Sequence, residues 1–512
     1  MGERDRLGSM GSASILGIDF GTTNTAAVFF DKEGKLRLVP IKEKNFILPS
    51  VVWFRAADKV VVGNAARMQA IDDPKHTLFG VKRFLGRRYN SEFVARNKER
   101  FAFSLIEGSD SYAAVEIYGQ ILPLVEVIQH VLQQIVEHAN HTAGETFTEC
   151  VLTVPAHASI RQREATRRAA EKIGLKVRAM INEPTAAALY YANLRNPEQT
   201  VLVFDLGGGT FDATLMSVKN RQVNVLATGG DAFLGGSDFD EAIVAELVAE
   251  FQRQHGLDLR ENKVVMQRLL FAAEAAKIVL SKQEATQVRI PVVAQGKDGR
   301  FIDFQYELTR AQLERLVTPL IERTVGACED LLERAGMTAD QVDELVLVGG
   351  QTRMPAIRAR FSHFKRSSSE KDVHPDLAVA IGAAVLGRNL ARGTSGLSDV
   401  VPMPISVMMP GGRTHEVIAP NTPVPCSKRV SIRDLPAWNA PIPLVVLESV
   451  DRTSVDREAL GTVSVPPEWR KGQLKGDPQL ELSMGQDFVL SARLVSSSGE
   501  SFAAPIVEMK GR

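Results

Sequence analysis

Apolar residues follow two different patterns along the chain, and the change comes near residue 392. Before it, short apolar runs alternate with segments whose apolar residues recur every three or four positions, the spacing of one helix face. In residues 121–139, for example, Leu124, Ile128 and Ile135 share such a face. Strands that alternate with helices predict an α/β architecture. We predict helices over residues 121–139, 160–173, 184–192, 237–254, 264–282, 309–335 and 376–390, and strands over 150–154, at both ends of 201–218 and at the start of 343–355.

The C-terminal part of the chain has no helical period. Residues 392–404 (RGTSGLSDVVPMP) are rich in Gly, Ser and Pro, which predicts a linker. From residue 403 to residue 512, short apolar runs are separated by turn clusters, which predicts a β-rich, sandwich-like domain. We therefore divide the chain into a disordered N-terminal segment (1–14), an α/β domain (15–391), a linker (392–402) and a β-rich domain (403–512).

One short pattern occurs twice within the α/β part. Residues 15–28 contain IDFGTTN and residues 202–215 contain FDLGGGTFD, each with Asp, Gly and Thr between two apolar strands. Glycines in such a turn let backbone N–H groups approach a phosphate. A strand follows each turn, so the dinucleotide fingerprint does not fit, and no P-loop string occurs. We predict two related lobes that each offer a phosphate-binding hairpin to a central cleft, with a third turn at Gly349-Gly350.

Two aspartates precede these turns and point to a metal ion. Asp19 and Asp205 would repel a polyphosphate unless a divalent cation lay between them, and Mg²⁺ suits one or two carboxylates plus phosphates. Thr22, Thr23 and Thr210 can donate hydroxyl hydrogen bonds to phosphate oxygens. Asp205 alone would more often cap a turn. The paired occurrence favours the metal.

Composition excludes several classes of protein. Lys plus Arg and Asp plus Glu are both 61, so the net charge of zero gives no field that favours nucleic acid or an anionic membrane. Cys150, Cys328 and Cys426 are far apart, which excludes a disulfide framework and suits a reducing compartment. No apolar run has the roughly 18–20 residues of a membrane helix, and the polar N-terminus lacks a signal-peptide core. We therefore expect a cytoplasmic protein without nucleic-acid or membrane partners.

A set of longer strings resembles one family, the DnaK-type heat-shock chaperones of the seventy-kilodalton class. The combination of INEPTAAAL and FDLGGGTFD is specific, because sugar kinases and actins lack it. The resemblance implies an actin-like (ribonuclease H-like, duplicated) α/β ATPase domain of two lobes, followed by a β-sandwich peptide-binding domain. The matching strings are GIDFGTTN (17–24), VKRFLGR (81–87), LTVPA (152–156), INEPTAAAL (181–189), FDLGGGTFD (204–212), LGGSDFD (234–240), AAEAAKIVLS (272–281), LVGGQTRMP (347–355) and HPDLAVAIGAAV (374–385).

The resemblance also implies ATP or ADP with Mg as cofactors, and a role for each matched residue. Asp19 and Asp205 would hold Mg²⁺ mainly through water, and Lys82 would reach the γ-phosphate. The catalytic set would be Lys82, Glu183, Asp205, Asp212 and Thr210. The nucleotide would contact Gly21, Thr22, Thr23, Asn24, Gly207, Gly208, Gly209, a turn at Gly229 and Gly230, one helix face with Glu274, Lys277, Ile278 and Ser281, and Gly349, Gly350, Gln351, Arg353 and Asp376.

The match to the family weakens beyond the linker. Val407, Ile442 and Leu444 would line a groove for an apolar peptide, with sandwich core as an equally favoured interpretation. The family continues with a helical lid, and this chain ends at Arg512, so we expect a short form without a lid and with weak, fast-exchanging peptide binding. In SGLSD (395–399) of the linker, Leu397 is the lone large apolar residue, which predicts weak docking on the ATPase domain.

These observations lead to one hypothesis and two alternatives. The first is an ATP-dependent chaperone that couples nucleotide state to the binding of unfolded or extended polypeptide. A nucleotide-gated scaffold whose β domain binds one dedicated partner is the alternative, and a filament former or sugar kinase is a third class. The resemblance implies a J-domain co-chaperone and a nucleotide-exchange factor, but Ala179 stands where bacterial relatives usually have the arginine that contacts a J-domain.

Overall fold

The structure is a computed structural model of the chain. None of the helices in its described part is long and apolar enough to cross a membrane. The predicted disordered segment lies, up to residue 13, outside the described residues. The described residues are 14–195, 198–220, 222–296, 299–364, 374–394, 397–436, 439–449, 457–469 and 476–508.

The N-terminal part of the chain is built around a mixed six-stranded sheet. Its central strand, β1, pairs antiparallel with β2 and parallel with β11. Strands β1 and β2 are nearly continuous apolar runs, because both faces of the sheet are covered. The elements are β1 (Leu16–Phe20), β2 (Asn24–Phe30), β3 (Leu36–Leu38), β4 (Leu48–Pro49), β5 (Val52–Ala56), β6 (Lys59–Val62), α1 (Asn64–Gln69), β7 (Thr77–Leu78), α2 (Glu92–Asn97), β8 (Ser104–Glu107), β9 (Ala113–Ile117), β10 (Gln120–Pro123), α3 (Leu124–Ala143), β11 (Glu149–Val154), α4 (Ile160–Lys172), β12 (Lys176–Asn182) and α5 (Glu183–Arg195), with 3₁₀ helices at Val81–Phe84 and Lys98–Arg100.

A second six-stranded sheet follows with a similar pairing pattern. Its strand β13 pairs antiparallel with β14 and parallel with β18, and β14 pairs antiparallel with β15. The elements are β13 (Gln199–Leu206), β14 (Phe211–Lys219), β15 (Gln222–Asp231), α6 (Gly236–His255), α7 (Lys263–Leu280), β16 (Ala285–Gln295), β17 (Phe301–Thr309), α8 (Arg310–Arg334), β18 (Glu344–Val348), α9 (Pro355–Arg360) and α10 (Ala378–Ala391), with 3₁₀ helices at Ala339–Gln341 and Gly350–Arg353.

Two alanine-rich helices, α5 and α10, pack between these sheets. Their small side chains form one buried cluster with residues of both sheets. The helices cross so closely that a Cβ at Gly382 of α10 would clash with the backbone of Ala186 in α5. The outer face of the first sheet packs against α3 and α4, and that of the second against α6, α7 and α8.

Hydrophobic periodicity located most of the helices well. The helices predicted over 237–254, 264–282 and 309–335 are confirmed as α6, α7 and α8. The prediction over 121–139 was wrong at its start, where residues up to Pro123 form strand β10. Pro123 has extended backbone and precedes the first turn of α3, so the helix begins only at Leu124.

The C-terminal part contains two four-stranded antiparallel sheets, which pair in the orders β21-β20-β24-β25 and β23-β26-β27-β28. Apolar side chains from both sheets form one buried cluster. Val407, Ile442 and Leu444 are at most 1% exposed within it, so in this structure they are core residues and offer no surface to a peptide. The elements are β19 (Leu397–Val400), β20 (Ile405–Met408), β21 (Thr414–Ile418), β22 (Pro423–Val424), β23 (Cys426–Ser431), β24 (Ile442–Ser449), β25 (Arg457–Val465), β26 (Pro478–Met484), β27 (Leu490–Ser496) and β28 (Ser501–Ala503), with a 3₁₀ helix at Pro467–Trp469.

Strand β19 lies in the middle of the predicted linker and joins the two parts. It pairs parallel with β15 of the second sheet and antiparallel with β22. Leu397 is only half-buried, whereas Val400 is 1% exposed. Apolar side-chain area alone does not predict this attachment, because backbone hydrogen bonds make it.

Candidate active site

The two glycine turns predicted from the repeat close in the same way and meet at their tips. The Gly21 amide donates to the Asn24 carbonyl at 2.9 Å, and the Gly207 amide donates to the Thr210 carbonyl at 3.1 Å. A Cβ at Gly208 would clash with the Thr23 hydroxyl, so glycine is required for this close approach. The tips of the two turns therefore touch each other between the two sheets.

Two adjoining cavities of about 100 and 330 Å³ lie along these turns. Most of the predicted site residues line one or both of them. The smaller cavity is lined by Asp19, Gly21, Thr22, Thr23, Asn24, Glu183, Asp205, Gly207, Gly208, Gly209, Thr210, Gly349, Gly350 and Asp376, and the larger one adds Glu274, Lys277, Ile278, Gln351 and Arg353.

Three buried carboxyl groups converge on the smaller cavity, with one lysine among them. Burial and the neighbouring Glu183 raise the pKa of Asp19 to about 7. Burial, followed by repulsion from Glu183, raises the pKa of Asp205 well above its ordinary value. Lys82 Nζ donates to Glu183 Oε1 at 2.9 Å and to the Phe20 carbonyl. One ammonium group does not neutralise three carboxylates, so this end of the cleft favours additional positive charge.

The residues around these carboxylates were not anticipated as site residues. Thr153 donates its hydroxyl to Asp19 Oδ1 at 2.9 Å. His157 Nδ1 lies 2.8 Å from Asp212 Oδ1, and both side chains are nearly inaccessible to solvent. Thr153 stands inside the LTVPA string and His157 directly follows it, so proximity to a recognised motif was the available signal.

The larger cavity is bordered by ion pairs from both sides. Lys277 Nζ lies 2.8 Å from Asp240 Oδ1 and donates to the Gly236 carbonyl at 2.7 Å. Arg353 pairs with Asp376 at 2.6 Å. Glu274 pairs with Arg67 of the N-terminal part, which the sequence argument also missed. The pairs of Lys277 and Glu274 link helix α7 to the rest of the cleft wall.

Five of the predicted catalytic and nucleotide-binding residues line neither cavity, and they are Lys82, Asp212, Ser281, Gly229 and Gly230. Ser281 does not line either cavity, because its hydroxyl points back along α7 to the Lys277 carbonyl at 3.3 Å. Gly229 and Gly230 belong to strand β15 and not to a turn, and neither lines the cleft. A Cβ at Gly230 would clash with the Phe211 carbonyl, so this glycine permits close strand pairing beside His157.

The donor set fits a magnesium ion that is shared with phosphates. Among the described residues, no three His, Cys, Asp or Glu side chains form a metal-binding group by themselves. Mg²⁺ usually takes one or two carboxylates and completes its shell with water and phosphate oxygens. Asp19 and Asp205, whose pKa values are raised by burial and then by repulsion from Glu183, match that requirement.

Comparison with known proteins identifies the family. The model of the family described as Hsp70 protein matches residues 15–484. The chain belongs to the Hsp70 family. It is 36% identical over 481 residues to the heat shock 70 kDa protein, mitochondrial, of Dictyostelium discoideum, a match that covers 93% of this chain and 72% of that protein. The chain is therefore an ATP-dependent chaperone and an ATPase that uses ATP or ADP with Mg²⁺, and the family binds unfolded polypeptides and co-chaperones.

The same comparison corrects the predicted location. We expected a cytoplasmic protein from the absence of a targeting pattern. That expectation is wrong by this comparison, because the relative is described as mitochondrial. Composition and cysteine spacing separate reducing from oxidising surroundings, and they carry no information on which reducing compartment holds the protein.

Proposed function

We propose that this Hsp70 couples hydrolysis in the cleft to peptide binding through strand β19. The proposed units are an actin-like ATPase domain of two duplicated lobes (15–391), a linker (392–402) and a β-sandwich peptide-binding domain (403–512). Duplication is supported by the matching strand pairings of the two six-stranded sheets. The sandwich is supported by the single apolar cluster that two four-stranded sheets share.

Within the cleft, the proposed chemistry is positioning and charge neutralisation. Thr22, Thr23 and Thr210 would hold the phosphates, together with the backbone amides of the two turns. Asp19 and Asp205 would hold Mg²⁺, which neutralises phosphate charge when bound. These roles are supported by the convergence of all five residues on one cavity of about 100 Å³.

The attacking water would be oriented by a second set of side chains. Lys82 is buried and hydrogen-bonded to Glu183, so its ammonium group is held at the cleft and not in solvent. Asp212 is 1% exposed, and its contact with His157 holds one carboxylate oxygen in place. We propose that Asp212 or Asp205 accepts the proton of the water, and that His157 positions Asp212.

The observation that carries the proposed coupling is the contact of Asp399 in β19. Its Oδ2 accepts from Asn182 Nδ2 at 3.0 Å and from the Thr185 hydroxyl at 3.3 Å. Asn182 directly precedes Glu183 of the cleft, and its own side-chain oxygen accepts from Arg163 at 2.8 Å. A movement of Glu183 on nucleotide binding or hydrolysis would therefore alter the site that holds β19.

A second contact runs between helix α4 and the C-terminal sheets. The backbone amide of Ile160, in the first turn of α4, donates to Glu448 Oε2 at 3.0 Å. Arg167 lies 3.9 Å from Asp487 Oδ2, and the Arg163 guanidinium lies 4.2 Å from the centroid of the Phe488 ring. These contacts support an arrangement in which the C-terminal sheets are docked against α4 of the N-terminal part.

The specific partners are part of the proposal. A J-domain co-chaperone and a nucleotide-exchange factor would act on the ATPase domain. Ala179 lies in β12, the edge strand of the first sheet, and it lacks the charge that a J-domain would contact. We expect weak stimulation by a standard J-domain partner. From the description of the relative we propose a mitochondrial location, which fractionation of cells that express the tagged chain would test.

Replacing Lys82 tests the cleft. We expect Lys82→Ala to bind a non-hydrolysable ATP analogue while its turnover number falls by about a hundredfold or more, because a preorganised charge at the developing phosphate negative charge is lost. Single-turnover cleavage and analogue binding would be measured on the same preparation. Lys32→Ala is the matched control, since Lys32 is exposed and far from the cleft. Normal turnover in Lys82→Ala would contradict the assigned role.

A further inference from the structure

A large cavity outside the nucleotide cleft is rich in arginine. It has a volume of about 860 Å³ and lies between residues 83–100, the start of α6, α8 and strand β25 of the C-terminal part. Seven arginines and three acidic residues line it. The cavity therefore combines a net positive lining with walls from both parts of the chain.

Four of these arginines are already paired. Arg83 lies 3.3 Å from Asp238, and Arg323 lies 2.5 Å from Asp231. In addition, Arg96 pairs with Glu92 and Arg100 pairs with Glu241. The remaining positive charge of the cavity lies on the other three arginines.

Arg87, Arg88 and Arg457 have no described carboxylate within ion-pair distance. Arg87 is held rigidly, because its Nε donates to the Arg83 carbonyl at 3.0 Å and its guanidinium lies 4.5 and 5.2 Å from the ring centroids of Phe93 and Phe233. Burial lowers the pKa of Arg87 to about 10, which still leaves it charged at neutral pH. A fixed, charged guanidinium is a preorganised anion ligand.

A small third cavity of about 30 Å³, which we call the passage, shares lining residues with both the arginine cavity and the phosphate end of the cleft. It shares Thr22 and Thr210 with the smaller cleft cavity and Arg83 and Arg87 with the arginine cavity. Lys82 also lines it, so positive side chains follow one another from the cleft outward.

One carboxylate opposes the three arginines without a partner. Glu458 comes from β25 of the C-terminal part, and its Oε1 is buried with no hydrogen-bond partner. Burial raises the pKa of Glu458, and the charges of Arg87, Arg88 and Arg161 act against that rise. When the C-terminal sheets are docked, the Glu458 carboxylate therefore lines the cavity and offsets part of the positive charge of its arginines.

We propose that the arginine cavity is a second anion site that takes inorganic phosphate, and that Glu458 competes with phosphate for Arg87 and Arg88. Inorganic phosphate is the product of the reaction in the cleft, and its oxygens suit arginine forks. Phosphate bound in the cavity and Glu458 docked against the same arginines oppose each other. Phosphate therefore weakens docking of the C-terminal sheets at β25, and docking expels phosphate.

Phosphate binding would be measured on the full chain with the cleft filled. Mg²⁺ and a non-hydrolysable ATP analogue occupy the γ-phosphate position, and inorganic phosphate is then titrated while calorimetry and the ³¹P linewidth report binding. We expect one phosphate per chain. Arg88→Gln and Arg457→Gln should each weaken it by about tenfold, and Glu458→Gln should tighten it severalfold. Raised ionic strength should weaken binding in every case.

The control for these variants is Arg260→Gln, an exposed arginine whose neighbour is Asp258. It should leave phosphate affinity unchanged. Arg457 is itself exposed, so its replacement disturbs no packing, and unchanged affinity for the ATP analogue reports an intact fold. The proposal is overturned if no phosphate binds with the cleft filled, or if the Arg88 and Arg457 variants bind it as the natural chain does. Unchanged affinity in Glu458→Gln overturns the competition.

A single-turnover experiment distinguishes two sources of the bound phosphate, which are the reaction in the cleft and the surrounding solution. A fluorescent phosphate sensor follows release while quenched samples follow cleavage of ATP. If product phosphate enters the cavity through the passage, Arg88→Gln should change the delay between cleavage and release and leave the cleavage rate unchanged. If the delay is the same in Arg88→Gln and in the natural chain, the cavity fills with phosphate from solution. The two results differ only in the source of the phosphate that occupies the site.

Discussion

The nucleotide cleft and the contact between the two parts of the chain both bury carboxyl groups, but they balance them differently. In the cleft, Asp19 and Asp205 face Glu183 across a cavity, and mutual repulsion adds to the cost of burial. At the contact, Asp399 receives hydrogen bonds from Asn182 and Thr185 of the other part. The cleft is incomplete without a cation and phosphates, whereas the Asp399 carboxylate has its hydrogen-bond donors within the chain.

This difference explains how one chain can both hold and transmit a nucleotide signal. An incomplete site gains free energy from its ligand, so it reports whether the ligand is present. The Asp399 contact needs no ligand to form, and it opens when its hydrogen-bond donors move. Asn182 and Glu183 are adjacent in sequence and face the two sites, so the same backbone segment serves both.

The largest effect at the contact is expected from Asp399→Ala. It leaves the Asn182 amide and the Thr185 hydroxyl without their acceptor, which costs about 1–3 kcal/mol. Docking of β19 should weaken by about ten- to a hundredfold. Hydrogen exchange at residues 397–400 would show the loss, and peptide should no longer stimulate ATP hydrolysis. Asp399→Asn, which keeps one oxygen, is the matched variant and should lose less. Retained stimulation in Asp399→Ala would separate β19 from the coupling.

The cleft was largely predictable from the sequence, and the contact was not. The two turns are local patterns, so Asp19, Gly21, Asp205 and Gly207 could be recognised from neighbours within a few residues. Tertiary contacts have no such signal. Asp399 and Asn182 are 217 residues apart, and the residues around either one do not indicate that the two side chains meet.

The predicted nucleotide contacts that lie outside both cavities have the same physical origin. Ser281 shares the helical spacing of Glu274 and Lys277, but α7 passes the rim of the cleft before Ser281. Gly229 and Gly230 suggested a turn because glycine is common there, while the structure uses them to let strands approach. Spacing predicts which residues share a face, and tertiary packing decides how much of that face meets the ligand.

A smaller effect is expected from pH at the contact with α4. Burial raises the pKa of Glu448 from an ordinary 4.5 to about 8, so the docked state binds a proton that the undocked state releases. Docking should therefore be strongest below pH 4.5 and weaken as pH rises to 8, with no further change above it. Energy transfer between dyes on the two parts should report about tenfold weaker docking at pH 7 than at pH 6.

Glu448→Gln is the test of that assignment. The variant keeps an oxygen for the Ile160 amide and has no proton to lose, so the pH dependence should become shallow. Any slope that remains is expected from Glu458, whose pKa burial also raises. An equally steep pH dependence in Glu448→Gln would exclude Glu448 as the titrating group.

The smallest effect is expected at the edge of the cleft, and it defines how far the ligand site extends along α7. Ser281→Ala should change nucleotide affinity by less than about twofold, because the hydroxyl donates to the Lys277 carbonyl and lines neither cavity. Lys277→Ala, one turn earlier, removes an ion pair with Asp240 inside the larger cavity and should weaken nucleotide binding by about tenfold or more. Titration of a fluorescent ADP analogue would compare them. Equal losses in the two variants would mean that α7 meets the nucleoside along its whole C-terminal turn, and that the ligand site reaches beyond the two cavities.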